Sequence, residues 1–150
     1  MSEFFARLIE LFGWPEFSLI ELHQASTHLS IGLLLGGVLF DGSATLFKKP
    51  VLRETAFWAQ TGGTILLLAT FLLGYLGNPF AGKGSELGQK AELHFYFACA
   101  TLVTFGVLAL WRVLRLRRMA KLEMAVYGFL TLIGVALIAV VGWMGGHIIA

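Results

Sequence analysis

Charge and sulfur are what this chain has least of. Only 13% of its 150 residues are Asp, Glu, Lys or Arg, against 57% apolar residues, and a small soluble domain has too little interior to hide that much apolar surface. Cys99 is the sole cysteine. That excludes an intrachain disulfide and any thiolate cluster for zinc or iron–sulfur, and leaves Cys99 as a small side chain of the third helix. The net charge of +2 is too small for a nucleic-acid-binding surface, and the basic residues gather at helix ends, where lipid headgroups account for them. No basic n-region precedes an apolar h-region, so no cleaved signal peptide is expected. A nucleophile–base pair, paired buried carboxylates and a dinucleotide fingerprint are missing. The stretch Gly82-Lys83-Gly84-Ser85 lacks the first glycine and the strand-to-helix setting of a phosphate loop.

What is abundant is uninterrupted apolar sequence. Leu22 to Phe40, Thr55 to Gly82, Leu93 to Trp111 and Met124 to Ala150 contain no Asp, Glu, Lys or Arg, and a helix needs roughly 20 such residues to cross about 30 Å of hydrocarbon. Inside lipid each backbone group must find its partner within the segment, so these are helices. The expected fold is all-α: a four-transmembrane-helix bundle over 21–150, with spans at 23–47, 55–77, 92–114 and 123–147. A short amphipathic interfacial helix is expected over 1–20, where Phe4, Phe5, Leu8, Ile9, Leu11 and Phe12 fall mostly on one face. Asp41, Lys48, Lys49 and Arg53 read as a solvated turn broken at Pro50. Trp14, Trp58, Trp111 and Trp143 read as interfacial anchors. Gly32-xxx-Gly36 with Gly37, Gly62 with Gly63, and Gly142, Gly145 and Gly146 read as small residues that let helices approach closely.

Connections that alternate sides place Lys48, Lys49, Arg53, Arg112, Arg115, Arg117, Arg118 and Lys121 on one face, and only Arg7, Lys83 and Lys90 on the other. The basic face is expected in the cytoplasm of a bacterial inner membrane, with both termini toward the periplasm. His23 and His28 open the first span, His94 opens the third and His147 closes the fourth, so all four histidines fall on the outward side. Ionisable residues in or near a span carry a desolvation cost and default to a functional role.

The pattern also repeats. Glu21-Leu22-His23 returns as Glu92-Leu93-His94, and Gly74-Tyr75-Leu76-Gly77 has a counterpart in Gly142-Trp143-Met144-Gly145. Two matches in the same order predict a duplicated helical hairpin with its pseudo-twofold axis along the membrane normal. In such a bundle the first and third helices lie on a diagonal. With neighbouring axes about 8–10 Å apart, the diagonal is roughly 11–14 Å. That gap is wide for a bare ion and suits a flat macrocycle with an imidazole above and below.

Haem needs axial donors, an apolar slot and little water. His94, with aromatic neighbours Phe95, Tyr96 and Phe97, is the best single ligand. Its partner is His23, the counterpart in the repeat, or His28, which is deeper. Their spacing sets them about 140° apart around a helix, which predicts that the two do not share a site; a second haem would then take His147 as its further ligand. The competing reading of each histidine, weightier for His23 and His147 than for His28 and His94, is a hydrogen bond to a neighbouring carbonyl or carboxylate near the interface. Copper or zinc would need three or four converging donors.

The His23-x4-His28 spacing, followed by Ile31-Gly32-Leu33-Leu34-Leu35 and Asp41, together with Ala56, Trp58 and Gly62, Leu93-His94 and Gly145-Gly146, resembles the bacterial four-helix membrane family named domain of unknown function 2231. The likeness runs from Leu22 onward. Members typically open with His-Pro-x-x-Val-His-Phe-Pro; here Gln24 and Ser30 stand at the proline positions and Leu29 at the aromatic. The family's tail histidine lies beyond the double glycine, whereas His147 follows it at once. Relatives are often fused to, or encoded beside, c-type cytochrome or Rieske modules. The resemblance implies a b-type haem protein exchanging electrons with an outward partner.

The expectation is therefore a membrane electron-transfer subunit of a larger redox complex. It would carry one haem b, or two, on ligands drawn from His23, His28, His94 and His147. Its partners would be lipid, other subunits, a periplasmic c-type cytochrome or Rieske protein, and a quinone. The rivals are a cofactor-free structural subunit, and a quinone- or proton-handling transport component that uses the histidines for protons.

Overall fold

A computed structural model describes residues 18–78, 85–115 and 119–149. It contains four long helices, α1 (Leu19–Phe47), α2 (Pro50–Leu76), α3 (Glu86–Leu114) and α4 (Lys121–Ile149). All four are long and apolar enough to cross a membrane, and there is no strand among the described residues. The interfacial helix expected over 1–20 lies outside the described residues up to position 17, and its last two residues already belong to α1. Trp14 and Gly82-Lys83-Gly84 are likewise outside.

The helices begin earlier than the hydropathy runs because their polar first turns are capped. Ser18 and Glu21 form a reciprocal capping box at α1: the Ser18 hydroxyl accepts from the Glu21 amide at 3.3 Å, and the Glu21 carboxylate accepts from the Ser18 amide at 2.8 Å. A cap of this kind is worth about 1 kcal/mol. Ser85 caps α3 by accepting from the Gly88 amide at 3.2 Å, and the Glu123 carboxylate takes the Ala120 amide at 3.0 Å before α4. Pro50 does not break a turn but starts α2, where its missing N–H costs nothing. The reversal is made by Lys48, left-handed at φ 53° and the only positive-φ non-glycine among the described residues.

α1 packs along α2, and α3 along α4; α2 borders α3, α1 meets α4 at only a few points, and the backbones of neither diagonal pair come close, although side chains meet across both. The arrangement is the expected bundle of two hairpins. The repeat is visible in the packing at a single offset, the 71 residues that separate Asp41 from Arg112. Leu34 and Phe105 are both fully buried, and each lies over a glycine of the next helix. A Cβ on Gly63 would sit 3.0 Å from Leu34 Cγ, and one on Gly134 would sit 2.9 Å from Phe105 Cε2. Ser30 and Thr101, one turn toward the histidines, are buried as well. This register pairs Gly74 with Gly145 and replaces the Gly74–Gly142 alignment suggested by the short motifs. Those motifs matched an aromatic next to a glycine, whereas the packing conserves which glycine lies beneath which side chain.

Two other expectations change. Asp41 is not in a solvated turn: it lies within α1 and makes a bidentate ion pair with Arg112, whose Nη2 donates to Oδ1 at 2.8 Å while Nη1 donates to Oδ2. Arg112 is 5% exposed and donates also to the Gln60 side-chain oxygen at 2.9 Å and the Arg53 carbonyl at 3.1 Å. Tyr127 donates its hydroxyl to the same Gln60 oxygen. A charge carried into the bundle needs a partner in reach, and here the two halves of the repeat supply opposite signs at equivalent positions. The glycine reading holds only in part. Gly37, 3.2 Å from Gln60, and Gly63 mediate close approach, but Gly32, Gly36, Gly62, Gly142 and Gly146 have no atom within 4 Å of a Cβ position.

Candidate functional site

The histidine end of the bundle is built by the polar first turns of α1 and α3. In α1, the His23 carbonyl accepts from the Thr27 hydroxyl at 2.6 Å and from Ser26 at 3.0 Å, so these two hydroxyls are satisfied within their own helix. The His23 ring lies against α2, with Nδ1 2.8 Å from the Thr70 carbonyl. A carbonyl only accepts, so Nδ1 carries the proton and Nε2 keeps its lone pair. The ring fits there because position 74 is glycine: a Cβ would lie 2.7 Å from both Cε1 and Nδ1 of His23.

α3 and α4 reproduce the arrangement. His94 lies over Gly145, whose Cβ position is 3.3 Å from His94 Cε1. Its Nδ1 is buried and faces the Val141 carbonyl without closing a hydrogen bond of ordinary geometry. His23 with Thr70 and Gly74 thus corresponds to His94 with Val141 and Gly145 at the same offset of 71 residues. Both rings line the same two cavities, although their helices are diagonal.

Both rings face a cavity of about 480 Å³ lined by His23, Gln24, Thr27, His28, Ser30, Ile31, Leu67, Thr70, Phe71, His94, Ala98, Thr101, Ile138, Val141, Gly142, Gly145 and Gly146. Its volume lies in the range of small-molecule and cofactor sites, roughly 300–1,000 Å³. On the α2–α3 side a smaller cavity of about 120 Å³ shares His23, Phe71, His94, Ala98 and Gly145. Phe95 closes that side, its ring centroid 5.5 Å from Phe71 and 5.9 Å from Tyr75.

His28 lines the larger cavity too, from an exposed position on α1. The expectation that His23 and His28 cannot share a site is therefore corrected. An angular separation on one helix does not forbid it, because the cavity extends around α1 from the α2 side toward α4. His147 is not brought to the site: it is exposed, its Nδ1 is 2.8 Å from the Trp143 carbonyl of its own helix, and its ring packs on Trp143 at 4.6 Å between centroids. Among the described residues no three His, Cys, Asp or Glu side chains converge as a bare metal ion requires. Cys99 is half-buried.

Sequence reasoning did not find Thr70, Val141, Gln60 or Tyr127. Thr70 and Val141 act through backbone carbonyls, which any residue carries. The signal that could have found them is the constant offset, which maps each onto the other once His23 and His94 are aligned.

A family model described as predicted membrane protein (DUF2231) matches residues 19–150. No curated protein and no solved structure matches.

Proposed function

From the premise that the chain belongs to the DUF2231 family of predicted membrane proteins, a description that names no activity, we propose that it is a b-type haem protein serving as the electron-transfer subunit of a membrane redox complex. The observation that carries this reading is the paired imidazole cradle. Two histidines occupy equivalent positions, each over a glycine and both facing one largely apolar cavity, and His23 donates its Nδ1–H to a main-chain carbonyl. An imidazole whose Nδ1 is directed to a carbonyl has its tautomer and ring angle fixed for coordination through Nε2. The donor set also fits: two neutral imidazoles suit haem iron, whereas a bare zinc or copper ion would need more donors.

His23 and His94 would hold the haem iron, which favours the symmetric pairing over His28 with His94. His28 would line the slot from α1, and Phe71, Ile138 and Leu67 would exclude water from it. Haem so held supplies one-electron chemistry. Gly74 and Gly145 keep both rings close to the backbone, and the Thr70 carbonyl, accepting a hydrogen bond from Nδ1, fixes the orientation of the His23 ring.

Among the described residues, five basic ones, Lys48, Lys49, Arg53, Arg115 and Lys121, remain at the opposite end once the buried Arg112 is set aside. They support an orientation in a bacterial inner membrane with the histidine end toward the periplasm, within reach of a c-type cytochrome or Rieske partner. The test is an optical one. The full chain purified after expression with haem supplementation should show a sharp reduced-minus-oxidised α band, lost in His94→Ala and in His23→Ala but kept in His28→Ala and His147→Ala. Absence of the band in the wild type refutes the reading, and its persistence in His94→Ala removes that ligand.

A further inference from the structure

At the end of the bundle opposite the histidines, a second cavity of about 490 Å³ lies between α1 and α4, and Asp41, Arg53, Arg112 and Tyr127 are on its wall. We propose that it holds one phospholipid with an anionic headgroup, the phosphate at Arg53 and an acyl chain running between α1 and α4.

Charge selects the headgroup. The bidentate contact neutralises Asp41 against Arg112, and Arg112 spends its remaining described donors on Gln60 and the Arg53 carbonyl. Tyr127 donates to Gln60. Arg53 is then the one charged side chain on this wall whose charge is not balanced by another wall residue, and Lys48, Lys49 and Lys121 are exposed at the same end. The site is thus cationic where it meets the headgroup layer, and basic pockets between transmembrane helices at that depth suit anionic lipids.

Shape selects the tail. The α2–α3 interface is in contact, while its pseudo-equivalent between α4 and α1 is nearly free of it. Gly42 and Gly128, on opposite walls, have open space where side chains would stand, and Leu46, Met124 and Leu132 make the rest of the wall apolar. An apolar gap open to the bilayer is filled by hydrocarbon because water gains nothing there, and methionine adapts its shape to a mobile chain.

The experiment is native mass spectrometry on the full chain, stripped of lipid in detergent and then titrated with phosphatidylglycerol, phosphatidylcholine or inorganic phosphate. One phosphatidylglycerol should be retained per chain, with phosphatidylcholine and phosphate lost at the same activation energy. Arg53→Gln should weaken retention about fivefold. Gly128→Leu, which meets no atom within 4 Å of its Cβ position, should abolish it while leaving the fold intact; Gly106→Leu, an equally open glycine that does not line this cavity, should retain lipid as the wild type does. Equal retention of phosphatidylcholine overturns the charge argument. Retention of phosphate alone, or wild-type retention by Gly128→Leu, overturns the tail argument. Because none of these variants touches the histidine end, a lost haem band and a lost lipid are separate failures.

Discussion

Gly74→Ala is a one-carbon change that tests the imidazole cradle without touching a ligand. The added Cβ would lie 2.7 Å from Cε1 and Nδ1 of His23, about 1 Å inside the optimum for non-bonded carbons of roughly 3.5–4.0 Å. The ring must move by a comparable distance, and the 2.8 Å contact with the Thr70 carbonyl cannot survive such a shift. Overpacking costs about 1–3 kcal/mol and the lost hydrogen bond about 0.5–1.5 kcal/mol, while replacing a helical glycine by alanine returns about 0.5–1 kcal/mol. The net is a loss of about 0.5–4 kcal/mol. Haem retention should fall about 10–100-fold, as it does when a group orienting a metal-bound histidine is removed. Gly145→Ala is the internal comparison: its Cβ would be 3.3 Å from His94 Cε1 and 3.8 Å from Nδ1, so a shift of a few tenths of an ångström relieves it, and the helical gain offsets the cost. Haem content per chain by pyridine haemochrome, with melting temperature in the same detergent, separates the two. Equal behaviour of the two variants, or a Gly74→Ala protein with wild-type haem content, would refute the reasoning.

Other variants probe the rest of the bundle. Asp41→Asn or Arg112→Gln leaves half of a buried pair uncompensated and should lower unfolding free energy in mixed micelles by about 3–5 kcal/mol. Because the two positions are pseudo-equivalent, the exchange of Asp41→Arg with Arg112→Asp should recover a good part of that loss; no recovery would mean that Gln60, Tyr127 and the Arg53 carbonyl fix the polarity of the pair. Gly32→Ala and Gly36→Ala, which face open space, should raise stability by about 0.5–1 kcal/mol. Gly134→Ala, whose Cβ would be 2.9 Å from the Phe105 ring, should cost about 1–3 kcal/mol; thermal melts that rank the three alike would contradict the packing described.

The four spans were legible because hydrocarbon thickness imposes a length that uncharged runs reveal directly. The helix starts were not, since the turn from Ser18 to Glu21 is polar and is held by a reciprocal cap that hydropathy does not register. His23 and His94 were legible as a pair because the Glu-Leu-His triplet repeats. That the His23 ring would lie against a carbonyl and a glycine of the neighbouring helix was not, because neither residue is marked by the motif. The polar pair at the other end was misread for a related reason. Asp41 and Arg112 lie at the edges of uncharged stretches, where a charge ordinarily faces water, and only their equivalence in the repeat shows that they face each other. A duplicated hairpin makes this possible: the same position occurs twice across a pseudo-axis, so two independent substitutions can become imidazole opposite imidazole at one end and carboxylate opposite guanidinium at the other. The first pair leaves a cavity between its members and the second closes the gap with a bidentate contact. The ion pair thereby ties the two hairpins together at the basic end, and leaves the histidine end as the place where a planar group can enter between them.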